Sequence, residues 1–303
     1  MTSEIIKSGR ASLATAVIEP ADSPKAVLVL VHGMAEHKER YYPFMTYLSE
    51  QGYACIITDL RGHGASVKDR EDLGFFGRKG KKWLIEDTRN VIAWARKRYP
   101  SSPVYLMGHS MGSLIVRCFV KRYDSEIAGL IVCGSPSKVS IAPIGIFLTR
   151  CIGLFKGKRF RSAMLEQMST GGYNKAFLSE GLPNAWLSTN KANVMAYNND
   201  PLCGFRFTVN GYRTLMQLLV DCYSASGLVM SHPSLPVHFI AGSEDPCIGS
   251  LKQFSQAVGF FLKRGYSRVS SRVFPGMRHE ILNETGREAV WQEVESVLNS
   301  WSS

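Results

Sequence analysis

Short runs of β-branched residues alternate with helical patterns along most of the chain, and this alternation is the strongest constraint on its fold. Strands are predicted at 26–31, 52–58, 103–107, 127–133, 237–241 and 269–274. Helices are predicted at 87–99, 111–123, near 252–263 and at 287–301. Strands that alternate with helices form parallel sheets, so the sequence predicts an α/β fold, a mostly parallel sheet flanked by helices.

The alternation stops after residue 135 and resumes about a hundred residues later. The residues between show helix-like apolar patches, Gly and Pro punctuation and no convincing strand. Long insertions inside a compact domain are usually functional. We therefore predict a core in two parts, residues 1–135 and 236–303, with an inserted helical cap between them. This cap segment comprises residues 136–235.

The sequence GHSMG at residues 108–112 matches the GxSxG pattern of a nucleophilic serine. A predicted strand precedes it and a predicted helix follows it, which is the strand–turn–helix context that exposes such a serine at a sharp turn. The alternative is an ordinary turn in which Ser110 caps the helix. The context favours Ser110 as a nucleophile.

A serine nucleophile needs a base, and the base needs an orienting acid, in the chain order Ser, Asp or Glu, His. Asp245 follows the predicted strand at 237–241, and His279 follows the strand at 269–274. His279 is the only histidine after Asp245. We predict a Ser110, Asp245, His279 triad. Glu244 is a weaker candidate for the acid. The alternative for Asp245 is that it only forms a turn before Pro246.

The oxyanion of the reaction needs hydrogen-bond donors close to the serine. We predict the backbone N–H of Met111, directly after Ser110, and that of Met34, in the loop after the first strand. Gly33 would let that loop approach Ser110. His32 and His109 are predicted to be structural.

Composition excludes several classes of protein. The 36 Lys and Arg residues exceed the 25 Asp and Glu residues, giving a net charge of +11. The positive residues are scattered and do not interleave with aromatic residues, so no nucleic-acid partner is expected. The chain has no apolar run of about 18 residues and no signal-peptide pattern at its start, which predicts a cytoplasmic protein.

The seven cysteines include no CxxC pair. We therefore expect no disulfide framework and no zinc site. Cys247, two residues after Asp245, is expected to be a small loop residue; the alternative is a position near the site, where thiol reagents would block access.

The cap segment combines positive charge with an apolar stretch. It holds ten Lys and Arg residues and four Asp and Glu residues, and its apolar residues 141–155 precede Lys156, Lys158, Arg159 and Arg161. This pattern indicates either peripheral contact with an anionic membrane or packing against the core.

The chain resembles the α/β-hydrolase superfamily, in its monoacylglycerol lipase and lysophospholipase branch. The resemblance rests on HGMAEHKERY (32–41), DLRGHGAS (59–66), GHSMGS (108–113), AGSEDP (241–246) and PGMRHEILNE (275–284). It implies a serine hydrolase of lipid-like esters with a helical cap and no cofactor. It also implies that Glu36 and Arg40 contact the glycerol head group. The chain departs from the branch at Leu282, where the family has an assisting histidine.

Other functions use the same machinery. The alternatives are a small-ester carboxylesterase, a thioesterase, an aminopeptidase-like enzyme and, from a different class, a catalytically silent binding module. The predicted substrate is therefore a small-molecule or lipid ester, and these patterns do not specify the acyl length or the oligomeric state.

Overall fold

The computed structural model describes residues 1–302 and contains one sheet of eight strands. The strands are β1 (Thr2–Ser8), β2 (Ala11–Ile18), β3 (Ala26–Val31), β4 (Tyr53–Thr58), β5 (Val104–His109), β6 (Gly129–Cys133), β7 (Val237–Gly242) and β8 (Val269–Phe274). Their order in the sheet is β1-β2-β4-β3-β5-β6-β7-β8. The six strands from β4 to β8 are parallel, and β1 and β2 form an antiparallel edge. The predicted α/β fold is confirmed.

Nine α-helices are found among the described residues. They are α1 (Tyr42–Glu50), α2 (Gly80–Arg98), α3 (Met111–Tyr123), α4 (Ala142–Phe155), α5 (Ala163–Ser169), α6 (Lys191–Asn199), α7 (Val209–Cys222), α8 (Leu251–Lys263) and α9 (Glu288–Ser302). The apolar faces of α2, α3 and α8 pack on one face of the sheet, and those of α1 and α9 pack on the other.

Residues of β3 show how the sheet is buried on both faces. Val27, Val29 and Val31 join the core under α2 and α3, whereas Leu28 and Leu30 join the core under α1 and α9. Side chains alternate between the faces of a strand, so a central parallel strand needs apolar residues at every position. This requirement explains the uninterrupted apolar sequence that predicted the strand.

Two features of the fold differ from the sequence prediction. Helix α2 begins at Gly80, seven residues before the predicted start, because Leu84 and Ile85 extend its buried face. The hairpin of β1 and β2 was not predicted, because β1 lies at the sheet edge and only Ile6 and Ser8 of its residues are buried.

The chain between β6 and β7 contains α4 to α7 and short 3-10 helices, and no strand among the described residues. Helix α4 packs against α7, and Leu148 and Ile152 of α4 contact the same core as Leu215 and Leu219 of α7. This part of the chain therefore rests on the α3 side of the sheet.

Candidate active site

Ser110 lies at a sharp turn between β5 and α3. Its backbone has φ +53° and ψ −118°, a conformation that non-glycine residues rarely adopt and that is concentrated at functional sites. The Ser110 side chain makes no capping hydrogen bond to α3, which excludes the capping alternative. At Gly112 an added Cβ would collide with the carbonyl oxygen of Val31, so a glycine is required for α3 to start so close to β3.

Asp245 and His279 are joined in the loops that follow β7 and β8. The Nδ1 atom of His279 lies 2.9 and 3.0 Å from the two carboxylate oxygens of Asp245. Asp245 also accepts a 2.8 Å hydrogen bond from the N–H of Cys247. Both side chains are buried, so this geometry holds the proton of His279 on Nδ1 and leaves Nε2 free to act as a base. Glu244 is half exposed and lies near Arg278 instead.

The loop after β3, residues 32–41, approaches Ser110 closely. An added Cβ on Gly33 would lie 3.1 Å from the Cβ of Ser110. Met34 and Met111 both line the cavity at Ser110. Helix α3 begins at Met111. The N–H of Met111 therefore has no partner within the helix and lies at the positive end of the helix dipole.

A buried network connects this loop to the base of the site. Glu36 accepts hydrogen bonds from the N–H of Gly33 at 2.5 Å and from the hydroxyl of Tyr41 at 2.9 Å. The Tyr41 hydroxyl lies 3.0 Å from Nδ1 of His109. The other ring nitrogen of His109, Nε2, donates to the carbonyl oxygen of His279 at 3.1 Å. The network thus links the two loops that carry Gly33 and His279.

The pKa values of this network favour a charged pair. Burial alone lowers the pKa of His109, but the hydrogen bond to Glu36 and its negative charge raise that pKa above its usual value. Burial raises the pKa of Glu36, and the interactions with His109 outweigh it and lower that pKa. With both nitrogens protonated, His109 donates to Tyr41, and the Tyr41 hydroxyl can donate to Glu36.

Arg40 lies behind the cavity wall. Its guanidinium pairs with Glu280 and donates a 3.1 Å hydrogen bond to Asn193. It also lies over the ring of Tyr197, 5.0 Å from the ring centroid. Glu36 lines the cavity, but Arg40 does not. Their contact with a substrate head group stays a prediction, and the geometry of Arg40 is that of a residue that positions Glu280 and α6.

An apolar cavity of about 330 Å³ opens onto Ser110 and His279. This volume lies within the range of small-molecule sites. The walls contributed by the cap segment include Ile141, Tyr173, Trp186, Leu215, Met216 and Leu219. The Trp186 ring packs against the His279 ring with centroids 4.9 Å apart.

Arg278 and Trp186 are site residues that the sequence analysis missed. Arg278 pairs with Glu180, donates to the carbonyl oxygen of Ala185 at 2.7 Å and covers the Phe177 ring at 3.9 Å. It therefore fastens part of the cap segment to the loop of His279. The position of Arg278 beside the predicted base was an available signal, whereas nothing in the sequence singles out Trp186.

Two groups of side chains within residues 1–302 bring metal-ligating atoms together. One is Asp245, Cys247 and His279; the other is His37, Asp200 and Cys203. In the first group, burial and the Asp245 carboxylate raise the pKa of the Cys247 thiol well above its usual value. Cys247 therefore stays protonated and does not compete with Ser110 as a nucleophile.

Comparison with known proteins assigns the chain to a family. A family model described as serine aminopeptidase, S33, matches residues 22–286. The chain belongs to this family. The S33 assignment confirms the resemblance to the α/β-hydrolase superfamily, and the protein is a serine hydrolase.

Relatives of this S33-family chain include lipases. A monoacylglycerol lipase of Mycolicibacterium smegmatis is 25% identical over 93% of this chain and 90% of the relative. The phospholipase YtpA of Bacillus subtilis is also 25% identical, over 93% of this chain and 98% of the relative. The crystal structure of a thermostable carboxyl esterase from Bacillus coagulans, in complex with glycerol, superposes with a TM-score of 0.90 at 24% identity. It covers 100% of this chain and 99% of that one, which shows the shared fold.

No helix within residues 1–302 has both the length and the apolar character needed to cross a bilayer.

Proposed function

We propose that the protein hydrolyses carboxylic esters of lipid-like substrates, monoacylglycerols or lysophospholipids, through Ser110. The observation that carries this proposal is the buried His279–Asp245 pair, held at 2.9 Å, with His279 lining the same apolar cavity as Ser110. An acyl chain would lie against the apolar walls of the cavity and place its ester carbonyl at Ser110.

The reaction would proceed by acyl transfer in two steps. Nε2 of His279 takes the proton of Ser110 as its oxygen attacks the ester carbonyl, and Asp245 stabilises the imidazolium that forms. The N–H groups of Met34 and Met111 hold the oxyanion. His279 then protonates the leaving alcohol and activates the water that releases the acid.

The substrate class follows from the cavity and the relatives. The cap residues at the cavity are mainly apolar, which suits an acyl chain better than a polar substrate. Relatives across nearly the full chain are named monoacylglycerol lipase and phospholipase. Leu282 stands where the family has a histidine, and it is buried. Because a leucine side chain has no polar atom, it would not supply a polar contact to a glycerol head group.

The aminopeptidase alternative requires a carboxylate that is free to bind an α-amine. Each glutamate that lines the cavity already has a partner. Glu36 is bound within its own loop, Glu166 accepts from Arg206 at 2.6 Å, and Glu280 pairs with Arg40. These pairs favour an ester substrate.

A fluorophosphonate tests the nucleophile, and p-nitrophenyl esters of increasing chain length test the substrate class. We expect labelling at Ser110 and a preference for long chains. A preference for acetate or butyrate would instead support a small-ester carboxylesterase. Failure of Ser110 to label would overturn the proposed mechanism and favour a silent binding module.

Replacing the serine gives the matching mutational test. We expect Ser110→Ala to abolish ester turnover and labelling without lowering the melting temperature, because the side chain makes no capping bond. Ser300→Ala, on the exposed surface of α9, is the matched control and should behave like the unmodified protein. Substantial turnover by Ser110→Ala would contradict the assignment.

We further propose that residues 136–235 act as a cap that makes peripheral contact with anionic membranes. Ile144, Phe147, Leu154 and Phe155 form an outward apolar stripe on α4, and the two last residues are more than 80% exposed. Lys156, Lys158, Arg159 and Arg161 follow directly after them. Apolar side chains next to positive charge are typical of helices that lie in a membrane surface.

A further inference from the structure

A second cluster of ligating side chains lies outside the cavity, where the cap segment meets the loop after β3. His37 comes from that loop, and Asp200 and Cys203 come from the turn that follows α6. One ligating atom from each of these residues lies within 4.8 Å of the others. His37 and Cys203 are buried, so the three donors converge on a site that is largely shielded from water.

The turn after α6 directs two of these donors to the same side. The N–H of Cys203 donates to the carbonyl oxygen of Asp200 at 3.0 Å, which closes a turn of four residues. The N–H of Leu202 holds Oδ1 of Asp200 at 2.7 Å. The other oxygen, Oδ2, faces Nε2 of His37 at 2.8 Å. The two residues that separate Asp200 from Cys203 match the short spacing between neighbouring zinc ligands on one segment of a chain.

The histidine is oriented as a metal-binding histidine usually is. Its Nδ1 atom bonds to the carboxylate of Glu39, and Glu39 in turn pairs with Lys38 at 2.6 Å. Histidine ligands commonly donate their second nitrogen to a carboxylate, which fixes the tautomer and the direction of the ring. Nε2 of His37 is thereby presented to Asp200 and Cys203.

We propose that His37, Asp200 and Cys203 bind one Zn²⁺ ion through an imidazole nitrogen, a carboxylate oxygen and a thiolate, with water as the fourth ligand. Imidazole, carboxylate and thiolate are the ligands that zinc accepts in tetrahedral sites.

The binding step balances without a redox partner. Nδ1 and Nε2 of His37 face carboxylate oxygens of Glu39 and Asp200. Zinc binds a thiolate, so the proton of the Cys203 thiol leaves to solvent as the zinc–sulfur bond forms, and a proton held on Nε2 leaves in the same way. Nδ1 keeps its bond to Glu39. No oxidant or reductant is needed.

The ion would fasten the cap segment to the loop that carries Met34. A backbone hydrogen bond already joins these two segments, because the N–H of Gly204 donates to the carbonyl oxygen of Ala35 at 2.9 Å. A zinc ion bound by both His37 and Cys203 would strengthen this contact beside Met34. The site does not depend on the proposed ester hydrolysis, because none of its three ligands lines the cavity.

Cobalt titration of the full chain, after chelator treatment and under reducing conditions, tests the proposal. Co²⁺ bound by a thiolate gives a charge-transfer absorption in the near ultraviolet. We expect this band to saturate at one equivalent, to disappear on addition of one equivalent of Zn²⁺, and to be lost in Cys203→Ser. We expect Asp200→Asn to weaken cobalt binding at least about tenfold, since changing even an outer partner of a metal ligand commonly costs about that much.

The other cluster, at Asp245 and His279, supplies the matched control. Cys247→Ser removes its only thiol and should leave the band unchanged. Loss of the band in Cys247→Ser with retention in Cys203→Ser would place the metal at the catalytic cluster and overturn the proposal. Absence of a band in the unmodified protein would also overturn it.

Two further readouts are independent of the spectrum. Zinc should raise the melting temperature of the unmodified protein and of Cys247→Ser, but not that of Cys203→Ser, because an ion that binds only the folded state stabilises it. In weakly buffered solution zinc binding should release the thiol proton of Cys203, so Cys203→Ser should release less acid than the unmodified protein. Release from Cys203→Ser equal to that of the unmodified protein would contradict the assignment.

Discussion

At the scale of single residues, the approach of the β3 loop to Ser110 depends on the absence of a side chain at Gly33. An added Cβ would lie 2.5 Å from Oε1 of Glu36 and 3.1 Å from Cβ of Ser110. The first distance is shorter than any normal contact, so the loop would have to shift. Met34 is the next residue, and its proposed oxyanion donor would shift with it.

We therefore expect Gly33→Ala to lower kcat by about 10²-fold, the usual loss when one oxyanion donor is misplaced, with a smaller change in KM. Steady-state kinetics on a p-nitrophenyl ester measures both constants. Gly259→Ala on α8 is the control, because nothing lies within 4 Å of its added Cβ. An unchanged kcat in Gly33→Ala would show that the loop does not contribute a donor.

His109 makes the stability of the protein depend on pH. Its pKa is raised from 6.5 in the folded protein, so its charged form stabilises the folded state. This stabilisation is complete below the unfolded pKa of 6.5 and is lost as the pH rises through the raised folded value. The lowered pKa of Glu36 affects only acidic solutions, where falling pH protonates the carboxylate.

We therefore expect the unmodified protein to exceed His109→Gln in unfolding free energy by more at about pH 6 than at about pH 9. Urea denaturation of both proteins across this range measures the difference. A difference that stays constant with pH would mean that His109 has the same pKa in the folded and the unfolded protein.

At the scale of elements, a buried ion pair joins α3 of the core to α7 of the cap segment. Lys121 is fully buried, and its Nζ donates to the carboxylate and, at 2.8 Å, to the carbonyl oxygen of Asp221. Lys81 also pairs with Asp221 at 2.6 Å. Removal of the carboxylate would leave a buried lysine without its counter-ion, which is costly.

We expect Asp221→Asn to lower the free energy of unfolding by about 3 kcal/mol. Urea denaturation measures this loss. The control is Glu166→Gln, which breaks a more exposed pair with Arg206 and should cost less than about 1 kcal/mol. Equal losses in the two variants would contradict a special role for the buried pair.

The elements differ in how well their local sequence predicts them. Helix α3 has the predicted bounds, because it is apolar on one face and begins directly after the serine turn. The start of α2 was missed, because Lys79 before it adopts a left-handed conformation with φ +64° and offers no capping residue. Strand β1 was missed because its side chains are mostly exposed, which leaves no clear alternation of apolar residues.

At the scale of the whole molecule, the proposed membrane contact combines the net charge of +11 with the apolar stripe on α4. Positive charge attracts a protein to an anionic surface, and this attraction weakens as salt screens it. Apolar side chains that enter the lipid then hold the protein there.

We expect the protein to float with anionic vesicles at low salt and to be released at high salt. Replacing Leu154 and Phe155 by serine should reduce flotation, because these side chains are the most exposed of the stripe. Leu262→Ser, on the exposed surface of α8, is the matched control. Absence of flotation at low salt would refute the membrane proposal and leave ester hydrolysis untouched.

The sequence by itself determined the parallel sheet, and it predicted Ser110, Asp245 and His279 as a triad. Ser110 directly follows β5, and Asp245 and His279 lie in the loops after β7 and β8; the carboxyl ends of parallel strands meet at one edge of the sheet. A local pattern was therefore enough to predict that they come together.

Only the tertiary structure decided how the cap segment meets that edge. Trp186 against His279, Arg278 with Glu180, and Cys203 near His37 join residues that are far apart in the chain. Such contacts depend on how loops fold over one another, and no periodicity or spacing encodes them. The same reason kept the proposed metal site out of the sequence prediction, because His37 lies far along the chain from Asp200 and Cys203.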